Sequence, residues 1–125
     1  MGYYFSLRGW LEVDEDERDT VIETLQSLIA SCDSDGSDGD HSRSYLKGWC
    51  WCNVMVNWTA YIFYGADVQR EGLDLMEDTL ALLVTKCPEI RGYSHAQGED
   101  HQYNFVYKIS NGQLIVEESS TLTEG

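Results

Sequence analysis

Thr24-Leu25-Gln26-Ser27-Leu28-Ile29-Ala30-Ser31-Cys32 returns 55 positions later as Thr79-Leu80-Ala81-Leu82-Leu83-Val84-Thr85-Lys86-Cys87. Thr, Leu, Leu, a β-branched aliphatic residue and Cys recur at matching places. Val13 precedes the first segment as Val68 precedes the second, and Asp19 matches Asp74. Two strand–helix units of one design therefore follow each other in the chain. In the first, Val21, Ile22, Leu25, Leu28, Ile29 and Cys32 fall on one helical face. That helix is expected from about Asp14–Asp16 to about Cys32. In the second, Leu73, Met76, Leu80, Leu83 and Cys87 form the stripe of a helix from about Arg70 to Lys86, with Pro88 to stop it.

Between and around the helices the pattern alternates. Tyr3, Phe5, Leu7, Leu11 and Val13 make one apolar face of a strand over 3–13. A strand over Tyr45–Val56 places Leu46, Cys50, Cys52, Val54 and Val56 on one side and Trp49 and Trp51 on the other. Trp58–Val68 buries its even set, Trp58, Ala60, Ile62, Tyr64, Ala66 and Val68. His101–Ser110 and Gln113–Glu118 flank Asn111-Gly112, the strongest short hairpin signal. The order β-α-β-β-α-β-β predicts an α+β fold. We expect a ferredoxin-like two-layer sandwich, with a mainly antiparallel sheet, two helices on one face and an extra C-terminal hairpin.

Helices on one face leave the other face open. Trp10, Trp49, Trp51, Tyr61 and Phe63 are assigned to it, with Arg8, Glu12 and Asp67 among them. An exposed aromatic surface of this kind marks an interaction site, because Trp and Tyr are common binding anchors. The competing expectation is that the sheet curls and these rings pack on one another.

Lys+Arg number 8 and Asp+Glu 22, a net charge of −14. Such a balance argues against direct binding of nucleic acid, which needs cations against phosphate, and against docking on anionic lipid. The 15 aromatic residues (4 Trp, 8 Tyr, 3 Phe) argue against wholesale disorder. The length suits a single domain over 1–125 with a flexible acidic loop at 33–43. No apolar run reaches the roughly 18 residues of a membrane span, and no basic-then-apolar leader is visible at the N-terminus. Met1-Gly2 with Ser6 matches the loose myristoylation pattern, which chance explains better. A cytoplasmic protein with reduced Cys32, Cys50, Cys52 and Cys87 is expected.

No constellation for chemistry stands out. Asp33–Asp40 has the composition of a calcium loop, but position 6 is Asp38 and position 12 is Ser44, where an EF-hand needs Gly and Glu. Cys50-x-Cys52 lacks the spacing of a structural zinc pair. Four buried thiols in one core, with Cys32 and Cys87 on the helix stripes, is the simpler expectation. His95, Glu99, Asp100 and His101 crowd one polar stretch, without a nucleophile signalled to join them. Walker, G-x-S-x-G, H-E-x-x-H and G-x-G-x-x-G motifs are absent. Neither a metal, nor a cofactor, nor enzymatic activity is expected.

Glu12-x-Asp14-Glu15-Asp16-Glu17-x-Asp19 places six carboxylates in eight residues. Helix capping and the helix dipole account for about half of them. The remainder repel one another at a few tenths of a kcal/mol per pair, a cost that a basic partner would offset. Trp10, Glu12, Asp14, Glu15, Asp16, Trp49, Trp51, Tyr61, Phe63 and Asp67 are thus the candidate partner-binding residues. Tyr4-Phe5-x-Leu7-x-Gly9-Trp10-Leu11-x-Val13, followed by an acidic helix start, resembles the N-terminal strand of bacterial polymorphic-toxin immunity proteins, specifically the immunity protein 7 family. The resemblance covers mainly residues 3–32. It implies a protein that binds and neutralises a cognate toxin domain. Charge points to a basic, nuclease-type toxin. A ferredoxin-like small-ligand sensor, an acidic DNA mimic and a homodimer through the aromatic face are the alternatives.

Overall fold

The computed structural model describes residues 3–34, 42–52, 54 and 56–120. Strand β1 (Phe5–Asp14) runs into helix α1 (Glu15–Ser34). A 3₁₀ helix (Ser42–Gly48) precedes β2 (Trp49–Trp51). Then come β3 (Thr59–Val68), α2 (Arg70–Lys86), β4 (Arg91–Gly98), β5 (Tyr103–Ser110) and β6 (Gln113–Ser120). The strands form one sheet in the order β2-β3-β1-β4-β5-β6, with every neighbouring pair antiparallel. The fold is therefore α+β, an antiparallel sheet with two helices, consistent in general terms with a ferredoxin-like topology. No helix among the described residues is long and apolar enough to cross a membrane.

Alternation builds the core. Phe5, Leu7, Leu11 and Val13 of β1 share one sheet face with Ala60, Ile62, Tyr64 and Val68 of β3, and with Phe105, Tyr107 and Ile109 of β5. Val21, Ile22 and Leu25 of α1 and Leu73, Met76, Leu80, Leu83 and Val84 of α2 close over that face in one cluster. The two helices fall where the repeated motif puts them. At the C-terminal hairpin both Asn111 and Gly112 have positive φ, 54° and 74°, as a two-residue type I′ turn requires.

Three expectations need correction. First, Arg91–Gly98 is a strand, which makes six strands where the sequence pattern predicts five. Its inward positions are Gly92, Ser94, Ala96 and Gly98, too small to produce a visible apolar alternation. Second, the span 45–56 is mostly not strand. It holds the end of the 3₁₀ helix and then only three strand residues. Trp49 pairs with Tyr64 and Trp51 with Ile62, so both tryptophans lie on the helix side and Cys50 takes the open side. Trp49 is buried at 5% exposure, with its ring edge-on to Tyr64 at 5.0 Å, and Trp51 packs against the same core. Both parities of this segment are apolar, so alternation alone could not choose between them. The larger rings go inside because they remove more apolar area from water than two thiols. Third, Cys50 and Cys52 are exposed and only Cys87 of these three is buried. Burial pushes the Cys87 thiol up, with Glu17 adding to the effect. Cys32 lies in the later turns of α1.

The small residues of β4 face a matching gap in β1. A methyl group at Gly9 would come within 2.5 Å of the Ser94 Cα and of the Tyr93 carbonyl oxygen. Both are backbone atoms that cannot rotate away. Gly9→Ala is therefore expected to destabilise by about 1–3 kcal/mol, the scale of overpacking. A chemical melt of the variant checks this, and an unchanged midpoint would show that β1 and β4 can separate at no cost.

Candidate partner-binding face

The sheet face opposite the helices carries the even residues of β1 and the odd residues of β3 and β4. Register aligns them across the strands. Trp10 lies directly between Phe63 and Tyr93. Cys50 extends the row past Phe63, while Lys108 and then Ile115 extend it past Tyr93. One line of side chains thus crosses all six strands, about 24 Å at the usual strand spacing. Trp10 is 40% exposed and Phe63 46%, with Tyr61 and Tyr93 similar. At the tip between β2 and β3, Val54, Val56 and Trp58 are more exposed still. They share a groove of about 450 Å³ with Tyr61 and Phe63, so the apolar surface continues from the sheet onto the hairpin tip. Trp58 was expected inside. It sits in the turn before β3 begins at Thr59, where alternation no longer applies.

Polar groups border the row on both sides. On one side, Arg91 Nε donates to Glu12 Oε1 at 3.2 Å, and Arg91 Nη2 stands 4.0 Å from Asp14. The Tyr61 hydroxyl donates to Glu12 Oε2 at 3.5 Å. On the other side, Arg8 Nη2 donates to Gln97 Oε1 at 3.2 Å, and Ser6 Oγ donates to Asp67 Oδ1 at 3.3 Å. Lys108 pairs with Glu117 at 3.3 Å. The face is a net of short, mostly exposed polar links around an aromatic bar. Such links hold side-chain directions more than they stabilise the fold.

Of the expected binding residues, Trp10, Glu12, Asp14, Tyr61, Phe63 and Asp67 come together on this face. Glu15 and Asp16 follow Asp14 at the exposed start of α1. Trp49 and Trp51 do not belong to it, since they are on the opposite side of the sheet. Tyr93, Arg91, Trp58 and Val56 join or border this face without a sequence pattern that marks them for it. The first two required the unseen strand β4.

The acidic run is more than a helix start. Glu17 Oε1 is buried without a hydrogen-bond partner. Its carboxyl is pushed up, first by desolvation and then by Glu89 and Asp14 nearby. The fold thus disfavours the charge it carries at this position. Arg18, the one cation in the run, bonds the Cys52 carbonyl at 2.9 Å and Asp19 at 3.5 Å.

The histidine-rich stretch resolves into separate duties. Glu99 accepts the Tyr4 backbone N–H at 2.7 Å, and Asp100 accepts the Tyr3 hydroxyl and the Gln102 N–H. These carboxylates tie down the start of β1. His95 donates to Asn104 at 3.1 Å, while His101 accepts from Gln97 at 2.7 Å. The two imidazoles are engaged by different amides. Among the described residues no three His, Cys, Asp or Glu side chains converge as a ligand set. Apart from its helical start, the Asp33–Asp40 segment lies outside the described residues, as do His41 and the Met1-Gly2 pair.

Comparison of the chain with protein-family models, with curated proteins and with solved structures returned no significant match. The likeness of β1 to immunity proteins thus stands on its own residues.

Proposed function

We propose that this protein is an immunity protein that binds a cognate toxin domain through the open sheet face and blocks it. The observation that carries this is the aromatic bar Phe63–Trp10–Tyr93, half exposed on a sheet face that no described element covers and adjoined by the acidic start of α1. Rigid rings on a sheet offer large contact area at little entropic cost, the composition of a binding hot spot. The net charge of −14 and the carboxylates Asp14, Glu15 and Asp16 suit a basic partner, and a nuclease-type toxin has the cationic surface required. Binding there would cover the toxin's phosphate-contacting surface. In this proposal the chain is a single non-catalytic domain acting in the cytoplasm without cofactor. Its fold is a ferredoxin-like two-layer sandwich with the β5–β6 hairpin added to the sheet edge. A phosphate mimic would present carboxylates alone, whereas this face interleaves Arg8, Arg91 and Lys108 with them, which favours one specific protein partner over DNA mimicry.

Two observations test it. A secreted protein with a basic C-terminal toxin domain should be encoded beside this chain, and that domain should form a 1:1 complex with it. Glu12 and Asp14 are tied to Arg91, so the steering charges are Glu15 and Asp16. Reversing both to Lys takes the net charge from −14 to −10. Association with the toxin should slow by about tenfold at low salt, and the difference should shrink near 1 M salt, where the Debye length is about 3 Å. Equal rates at low salt would remove charge as a reason for a nuclease-type partner. Absence of any complex would overturn the proposal itself.

A further inference from the structure

The two edges of the sheet are built differently. β2 is three residues long, and short strands make poor templates for further pairing. β6 runs for eight residues and pairs with β5 along its whole length without a bulge. Among the described residues no strand meets its other side. The usual guards of such an edge are proline, charged side chains, an inward-pointing charge or a bulge. Gln113-Leu114-Ile115-Val116-Glu117-Glu118-Ser119-Ser120 has no proline, lysine or bulge, and its guards are the carboxylates Glu117 and Glu118, which repel an acidic strand and admit a basic one. Ile115 and Val116 are exposed, one on each sheet face, and the strand's only charges are Glu117 and Glu118.

Glu118 lies on the helix side, opposite Phe105. There it borders a cavity of about 480 Å³ whose apolar walls are Tyr3, Phe5 and Tyr103. These rings meet edge to face, Tyr3 with Phe5 at 5.1 Å and Tyr3 with Tyr103 at 6.2 Å between centroids. Arg70 and Glu71, from the start of α2, complete the rim. The Arg70 guanidinium already sits 5.2 Å over the Phe105 ring, a cation on an aromatic face. With Glu71 and Glu118 also on it, the rim carries one more carboxylate than cation.

We propose that the β6 edge and this cavity form one site for an extended basic polypeptide segment, which adds as a seventh strand and places a Lys or Arg side chain in the cavity. Residues directly opposite across a strand pair share a sheet face. The residue facing Glu118 therefore points to the helix side, toward the cavity. Its aliphatic stem passes over Glu118 toward Tyr103, and its charge meets Glu118 at the mouth of the cavity. Main-chain bonds to β6 supply affinity, and the cavity supplies choice of side chain. A second copy of this chain fits worse, because it would bring two molecules of charge −14 together along strands that each carry two glutamates. The site shares β6 with the open face, at Ile115 and Glu117, but does not depend on the aromatic row.

The test uses a blocked hexapeptide alternating Val and Lys, its Lys→Glu analogue, and a version N-methylated at every residue, so that neither of its edges can donate main-chain hydrogen bonds. The Val-Lys peptide should bind saturably and slow amide exchange in 113–120 by at least tenfold. The Glu analogue and the N-methylated peptide should each bind at least tenfold more weakly. Glu118→Gln, at an exposed side chain, should weaken binding severalfold with an unchanged melt, and Tyr103→Ala should do the same if it folds. Protection centred on β1 and β3 instead of β6, or equal binding by the N-methylated peptide, would overturn the proposal. So would a dimer of the free protein that Glu118→Lys dissociates, since that would give the edge to a second copy.

Discussion

Replacing Trp49 by alanine should destabilise the fold by about 3–5 kcal/mol, the range for removing a large buried aromatic ring. That is a large share of the roughly 5–15 kcal/mol that holds a domain of this size. The ring is almost fully buried, contacts Tyr64 edge-on, and joins the shared core under α1 and α2. Tyr64 is in turn fixed by its hydroxyl, which donates to the Tyr45 carbonyl at 2.6 Å, and its own burial pushes that phenol far above the usual range. Removing Trp49 would open a void beside a Tyr held in place, and such a site collapses poorly. The neighbouring Cys50, exposed on the other face, should tolerate serine within about 0.5 kcal/mol. Urea melts of the two variants give a direct comparison. A small effect at Trp49 with a large one at Cys50 would mean that β2 pairs in the opposite parity.

That parity shows where a single sequence stops being informative. In β1, apolar Phe5, Leu7, Leu11 and Val13 alternate with Ser6, Arg8 and Glu12, so only one assignment of faces buries the right set. In β2 both sets are apolar, and the choice is made by tertiary volume, the space between Tyr64 and the helices. In β4 the inward set is Gly92, Ser94, Ala96 and Gly98. These residues are selected by how closely Gly9 and Leu11 of β1 approach, a constraint that exists only once the strands are side by side. Losing β4 also hid half of the candidate face. Trp10, Tyr61 and Phe63 were legible from alternation in their own strands. Tyr93 was not, and neither was the Arg91–Glu12 contact, whose partners are 79 residues apart. The β6 strand itself was plain from Asn111-Gly112. Its position at the free edge follows from sheet order, which local pattern does not contain.

Trp10 should behave as the opposite of Trp49. It is the midpoint of the aromatic row, flanked by Phe63 and Tyr93 and 40% exposed. Its contribution to folding comes through two cross-strand pairs, each worth about 0.2–1 kcal/mol. Trp10→Ala should therefore lower stability by no more than about 2 kcal/mol. Binding of the proposed toxin partner should weaken by about 2–4 kcal/mol, as for a central aromatic anchor. That corresponds to roughly 30- to 700-fold in Kd at about 1.4 kcal/mol per tenfold. The loss should appear in the dissociation rate and persist at high salt, since it comes from contact area and not from the long-range field. The Glu15 and Asp16 reversal should do the reverse, slowing association at low salt only. Measuring both rates for both variants at two salt concentrations separates the anchor from the field. If Trp10→Ala leaves dissociation unchanged while the protein stays folded, the aromatic row is not the docking surface, and the complex must form on another face.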